Sequence, residues 1–324
     1  MFTSGSPAKT RILVVRLGAL GDIIHALPAV ASLKHSYPAS RLTWAVEPRW
    51  APLLAGNPFV DRVVTVRRDS PRNVFESIRA LRQERYGFAV DFQGLIKSAV
   101  VASLARPERI FGFDQSLLRE RLAGLFYSDK TLTPSAHVVD RNLDLAAAAG
   151  ASNVLRTFPL PTGQPQGELP QGDFVLASPL AGWRSKQWPT EHYRALAARL
   201  RRELAIPLVL DGPPGAAFAE IPEALIHSSG LPGLIHATRR AAAVIGVDSG
   251  PLHLAAALGR PGVAIYGPTD PARNGPYGES IRVLRSPSAV TSYKRGGEID
   301  DSMRQVSSDQ VFEALRAMLG CCVR

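Results

Sequence analysis

The chain has 324 residues, 45% of them hydrophobic, and carries 38 Lys and Arg against 28 Asp and Glu for a formal net charge of +10. That length suits two domains with cores of their own, and no run of about 18 apolar residues is present to cross a membrane as a helix. The polar opening MFTSGSPAKT lacks the apolar middle of a secretory signal, and Cys321 and Cys322 are adjacent rather than spaced as a disulfide or CxxC pair, so the expectation is a cytoplasmic protein with a disordered lead-in and no thiolate metal centre.

Arg11-Ile-Leu-Val-Val-Arg16 predicts a first parallel strand, Leu17 to Gly21 a glycine turn, and Asp22 to His35 a helix with Ile23, Leu27, Val30 and Leu33 near one face. Further strands are expected at 41–46, 62–66 and 88–91, with helices over 73–85 and 95–105. Between 158 and 172, four prolines and three glycines break the pattern and predict a linker. A second series follows, with strands at 173–178, 207–211, 243–247 and 262–266 and helices over 191–204, 234–242, 251–258 and 308–319. The expected fold is α/β: two Rossmann-like, doubly wound parallel-sheet domains, residues 1–162 and 163–324, facing a central cleft at their strand ends. The terminal helix is free to pack back on the N-terminal domain.

Charge is uneven. Residues 1–162 hold 21 basic and 13 acidic residues, a net +8, and residues 163–324 hold 17 and 15, a net +2. The first half therefore suits an anionic partner or a negative membrane surface. No zinc finger or RNP motif points to nucleic acid. Arg67 and Arg68, at a strand end, stand out from an otherwise salt-laced run of arginines between 62 and 85 as an anion site; Lys97 and Arg119 are further basic candidates.

Three segments carry chemistry. In Arg16-Leu-Gly-Ala-Leu-Gly-Asp22 the glycines permit a tight turn, but the spacing is not GxGxxG, which argues against a nicotinamide dehydrogenase. Asp22 either caps the following helix or serves as a general base toward a sugar hydroxyl. Lys186, between Trp183 and Trp188, is either a surface lysine between packed aromatics or a cation for a departing diphosphate. In Val247-Asp-Ser-Gly-Pro-Leu-His253 a strand breaks into a helix whose first N–H groups favour an anion. Ser249 is placed to cap that helix, Gly250 to let a phosphate approach, and His253 either to reach phosphate or sugar or to stand as a satisfied core histidine. Asp248 repels phosphate and suits a loop contact or a sugar hydroxyl instead. Thr269 and Asp270 follow the next strand.

Taken together, RLGALGDIIHALP (16–28), DFQGLIKS (91–98), KQWP (186–189), VDSGPLH (247–253) and YGPTDP (266–271) resemble, in order, the blocks of glycosyltransferase family 9, the ADP-heptose:lipopolysaccharide heptosyltransferases. LRERLAGLFY (118–127) and the QGLIKS block make the likeness strongest to heptosyltransferases of type I. The resemblance implies a GT-B fold and inverting transfer of L-glycero-D-manno-heptose from ADP-heptose to Kdo of the lipopolysaccharide inner core. It implies Asp22 as base, Lys186, Ser249, Gly250 and His253 at the donor diphosphate, and Asp248 at the heptose. Arg67, Arg68, Gln93, Lys97 and Arg119 become acceptor-side candidates. Threonine is common where Ser249 stands, and the hydroxyl survives. No cofactor or metal is expected, there being no Asp-x-Asp motif. Partners would be ADP-heptose, Kdo-lipid A and, peripherally, the anionic cytoplasmic face of the inner membrane. The alternatives are a type II or other core-sugar transferase, and a non-catalytic nucleotide-sugar-binding protein.

Overall fold

Apolar runs that are buried on both faces become the inner strands of parallel sheets. The computed structural model describes residues 10–216, 221–292 and 294–321; the start of the polar lead-in and the side chains of Cys321 and Cys322 lie outside the described residues. The chain divides into two units, Met1–Pro161 and Thr162–Arg324.

In the first unit the order is β1 (Arg11–Val15), α1 (Leu20–Ser36), β2 (Arg41–Val46), β3 (Arg62–Thr65), α2 (Pro71–Leu81), β4 (Phe88–Asp91), α3 (Ile96–Leu104), β5 (Arg109–Phe113), β6 (Asp129–Thr131) and α4 (Val138–Ala148). The six strands lie in the order β3-β2-β1-β4-β5-β6, and every pairing is parallel. Ile12, Leu13, Val14 and Val15 of β1 are fully buried, as its central place requires. α1 packs against α4.

The second unit runs β7 (Val175–Ser178), α5 (Thr190–Leu204), β8 (Leu208–Gly212), β9 (Ala224–Ser228), α6 (Leu231–Arg240), β10 (Ala243–Val247), α7 (Gly250–Ala257), β11 (Gly262–Tyr266), α8 (Pro271–Asn274), β12 (Ile281–Arg285), α9 (Asp301–Arg304) and α10 (Ser308–Cys321). Its sheet order, β12-β11-β10-β7-β8-β9, repeats the first sheet's order strand for strand when read from the other edge. Both units are thus doubly wound, with the winding reversing between β1 and β4 in one and between β7 and β10 in the other. Ligands of such sheets bind beyond the carboxyl ends of the two strands at that reversal.

The apolar face of α10, with Val311, Phe312, Ala314 and Leu315, is buried in the second unit's own core beside α5 and β11. β5, β6, α4, β9, α8, β12 and α9 are found in addition to the expected elements.

A buried histidine makes the second unit sensitive to pH. His227 on β9 sets Nδ1 2.7 Å from Asp211 Oδ1 and Nε2 2.6 Å from the Gln166 carbonyl. Both partners accept, so both ring nitrogens must donate, which the imidazolium alone can do. The Asp211 hydrogen bond outweighs burial and raises the His227 pKa above its ordinary 6.5. A raised folded-state pKa contributes stability that is full below the unfolded value of 6.5 and is lost as pH rises through the folded value. Stability of the wild type in urea should therefore fall as pH rises above about 6.5 more steeply than that of His227→Gln. Equal slopes would contradict the assignment.

Candidate active site

The carboxyl ends of β1 and β4 carry the first cluster. Arg16, just after β1, spans this reversal: its guanidinium donates to the Phe92 carbonyl beyond β4 and meets Asp22 Oδ1 at 2.8 Å. Asp22 is the third residue of α1, because the helix begins at Leu20 rather than at Asp22. Its other oxygen accepts the Ala19 N–H at 3.0 Å, so it satisfies an otherwise orphaned donor at the helix start. The side chain remains 46% exposed, which leaves the carboxylate open to a substrate hydroxyl. Both roles weighed for Asp22, cap and base, are therefore compatible.

Gln93 has one end committed. Its Oε1 accepts the Leu17 N–H at 2.8 Å and fixes the turn after β1, leaving the amide NH2 for a ligand. Beneath it Asp91 is fully buried. It accepts from the Gln93 and Gly94 N–H groups at 2.9 and 3.3 Å, from Ser98 Oγ at 2.8 Å and from Tyr127 Oη at 2.7 Å. Burial pushes its carboxyl above the usual range, and these four bonds oppose the rise. Gly94 has φ +68, and a Cβ there would lie 2.6 Å from Leu118 Cδ2. Asp91 thus ties the QGL turn, the start of α3 and the chain before β6 together. Asp91→Ala should cost roughly 2–4 kcal/mol in denaturant unfolding, since it strands several buried donors; a loss within experimental error would show that the network is dispensable.

Arg68 and Lys97 converge on Glu47, which the sequence reading does not single out. Arg68 Nη2 lies 2.6 Å and Lys97 Nζ 4.0 Å from Glu47 Oε1, and Arg49 meets the other oxygen at 3.1 Å. Arg67 is exposed, 4.0 Å from Asp69. An apolar pocket of about 260 Å³ opens beside Arg67, Arg68 and Lys97, with Val74, Ile78, Val100 and Leu104 in its wall. Arg119 is exposed, on the segment after β5. The position of Glu47, immediately after a buried strand ending in Trp-Ala-Val, was the available signal for it.

In the second unit the carboxyl ends of β7 and β10 bring together residues 62 apart in sequence. Lys186 Nζ lies 2.6 Å from Asp248 Oδ2 and 4.3 Å from the centre of the Trp183 ring. The lysine is 15% and the aspartate 8% exposed. His253 Nε2 is 3.6 Å from Asp248 Oδ1, long for a hydrogen bond but close for a charge contact. Burial alone would raise the Asp248 carboxyl; His253 and the Lys186 ammonium together overcome it and hold the pKa at about 2. Lys186 is therefore no loose surface lysine. It is aimed by an ion pair and an aromatic face.

Ser249 stands at the N-cap of α7 in extended conformation, but its hydroxyl makes no capping bond, which corrects the capping expectation. Pro251 has no N–H to offer, and the Ser249 Oγ has no partner among the described residues although it is buried. Thr269 Oγ1, beyond β11, is in the same condition at 1% exposure. Asp270 instead caps α8 through the Ala272 N–H at 2.9 Å. Buried hydroxyls without partners call for a ligand or water. Gly250 opens α7, where unpaired N–H groups and the helix dipole favour an anion. A further pocket of about 510 Å³ opens in the same unit, with Ser185, Pro268 and Asp300 in its lining.

A positioned cation, unpaired hydroxyls and a helix N-terminus at the reversal point form a site suited to a diphosphate. The sequence profile of glycosyltransferase family 9 (heptosyltransferase) matches residues 74–298. The chain belongs to glycosyltransferase family 9. Lipopolysaccharide heptosyltransferase 1 of Escherichia coli K12 is 30% identical over 318 residues, covering 86% of this chain and 94% of the relative. That of Pseudomonas aeruginosa PAO1 is 31% identical over 304 residues, covering 83% and 82%. Among solved structures, E. coli heptosyltransferase WaaC with ADP aligns at a TM-score of 0.77 and 27% identity over 95% of this chain and 100% of that one. This family 9 chain is a glycosyltransferase with the GT-B class of α/β fold.

Proposed function

We propose that this protein transfers L-glycero-D-manno-heptose from ADP-heptose to Kdo of the lipopolysaccharide inner core, as a type I heptosyltransferase. The observation that carries the reading is the Lys186–Asp248–His253 cluster beside the unpaired Ser249 hydroxyl and the N-terminus of α7. In this scheme the Gly250 N–H region, Ser249 and His253 hold the donor diphosphate. Asp248 aims Lys186 and accepts a heptose hydroxyl.

An acceptor hydroxyl of Kdo attacks the anomeric carbon from the face opposite ADP. The carbon–oxygen bond to the diphosphate breaks, configuration inverts, and the hydroxyl proton passes to Asp22. Lys186 and the helix N-terminus absorb the charge that grows on ADP. This scheme uses no divalent ion, so turnover should persist in EDTA. On the acceptor side Arg67, Arg68, Lys97 and Arg119 meet the carboxylates and phosphates of Kdo-lipid A, with the free amide of Gln93 on a sugar hydroxyl. Among the described residues no helix is long and apolar enough to cross a membrane. The net +8 of the first half supports peripheral, salt-sensitive contact with the anionic cytoplasmic face of the inner membrane.

The test is a comparison of initial rates on Kdo-lipid A and on the same acceptor already carrying heptose. Preference for the first is expected. Preference for the second would replace this reading with a type II transferase, and donor binding without turnover on any acceptor would favour a binding protein.

A further inference from the structure

The segment between β5 and β6 is arranged against the usual rule for a water-facing turn. A 3₁₀ turn, Arg121–Phe126, packs on α3. With three residues per turn, Leu122 and Leu125 fall one above the other. They point outward, 63% and 71% exposed, with Phe126 at 37%. The residues turned inward are the smallest ones, Ala123 and Gly124. A Cβ on Gly124 would lie 2.6 Å from Gln115 Cγ, so glycine lets this turn pack closely on the Gln115 side chain.

The segment is held rather than loose. Leu118 and Tyr127 are buried at its two ends, and Tyr127 Oη bonds the buried Asp91 at 2.7 Å. Glu120 turns its carboxylate onto the Ile96 N–H at 2.8 Å, at the start of α3. That contact ties the one acid of the stretch, half-buried, to the helix start. Arg119 and Arg121 remain exposed, with no ion-pair partner among the described residues. Ile96 is itself 39% exposed beside Lys97.

We propose that Arg119–Phe126, with Ile96 beside it, is a preformed wedge that docks the first unit on an anionic lipid surface. Leu122, Leu125 and Phe126 enter the boundary between headgroups and acyl chains, and Arg119 and Arg121 meet lipid phosphates. Charge complementarity selects this occupant: apolar tips flanked by unpaired cations match a layer that is apolar inside and negative at its rim. The proposal deepens the reading above, in which the acceptor is lipid-anchored, and names the surface that makes the contact.

Sedimentation of the full chain with phosphatidylcholine vesicles, with and without phosphatidylglycerol, tests it. Wild type should partition to the anionic vesicles and less so at raised salt. The double variant L122S/L125S should partition about tenfold less or weaker still, with an unchanged melting temperature because both side chains are exposed. Should that variant not fold, L122A/L125A serves in its place with the same expectation. Val290→Ser, which removes an exposed apolar side chain of the second unit, should bind like wild type. Equal partition of wild type and the double variant, no affinity of wild type for anionic vesicles, or an equal loss in Val290→Ser would each overturn the wedge. Vesicle binding is read without turnover. Absence of heptose transfer alongside the expected partition pattern would overturn the proposed reaction and leave the wedge supported.

Discussion

Lys186→Ala is expected to lower kcat for ADP-heptose by about a hundred- to a thousandfold, the effect of losing one preorganised charge at a developing anion. It should also destabilise the protein. Asp248 is 8% exposed and would lose its closest counter-charge, and breaking a buried pair from one side costs roughly 3–5 kcal/mol. His253, 3.6 Å away, should hold the loss near the lower end of that range. The sign in pH follows from the depressed Asp248 pKa. Its contribution is present above the unfolded value of 3.8 and is lost as pH falls through about 2. Lys186→Ala should shrink that acid-side contribution. The double variant K186A/D248A separates the two roles, because removing the stranded carboxylate should restore much of the stability and none of the turnover. Urea unfolding and steady-state ADP release measure them side by side. A double variant that regained activity would show that Lys186 serves the fold alone.

Asp22→Asn should lower kcat by about a hundred- to ten-thousandfold while the KM for the donor changes little. The substitution keeps an oxygen able to accept the Ala19 N–H but takes the counter-charge from the buried Arg16 guanidinium, so a modest fall in melting temperature should accompany it. That split, large in turnover and small in stability, is what a base requires. Turnover within about threefold of wild type would remove Asp22 from the chemistry. A variant largely unfolded at the assay temperature would instead assign it to supporting Arg16 and the start of α1.

Most inner strands were legible because burial on both faces writes them as unbroken apolar runs; β5, also inner, was missed because arginine and glycine interrupt its short run. β2, β4, β10 and β11 occupy the expected residues. Of the edge strands only β3 was expected. β6 is three residues of Asp-Lys-Thr, β9 leaves Leu225 and Ile226 at least half exposed, and β12 sets two arginines among aliphatic residues. α4 shows helical spacing at Val139, Leu143 and Ala146 and an alanine-rich end, so its signal was present though it is not among the expected elements.

At the site, residue type and position in a turn were readable, and partnership was not. Nothing local to Lys186 announces a carboxylate 62 residues on, and nothing in Asp-Phe-Gln-Gly reveals that Asp91 faces inward to collect four donors. Ser249 shows the same limit from the other side. Its type and place predict a cap, yet the hydroxyl is left unbonded.

Heptose transfer itself is the most direct measurement. Purified protein is incubated with ADP-heptose and Kdo-lipid A in the presence of EDTA, and the acceptor is weighed by mass spectrometry while ADP is counted. The predicted result is a single heptose added to Kdo for each ADP released, with ADP release dependent on acceptor. ADP released equally fast without acceptor, or an acceptor of unchanged mass despite saturating donor, would contradict it.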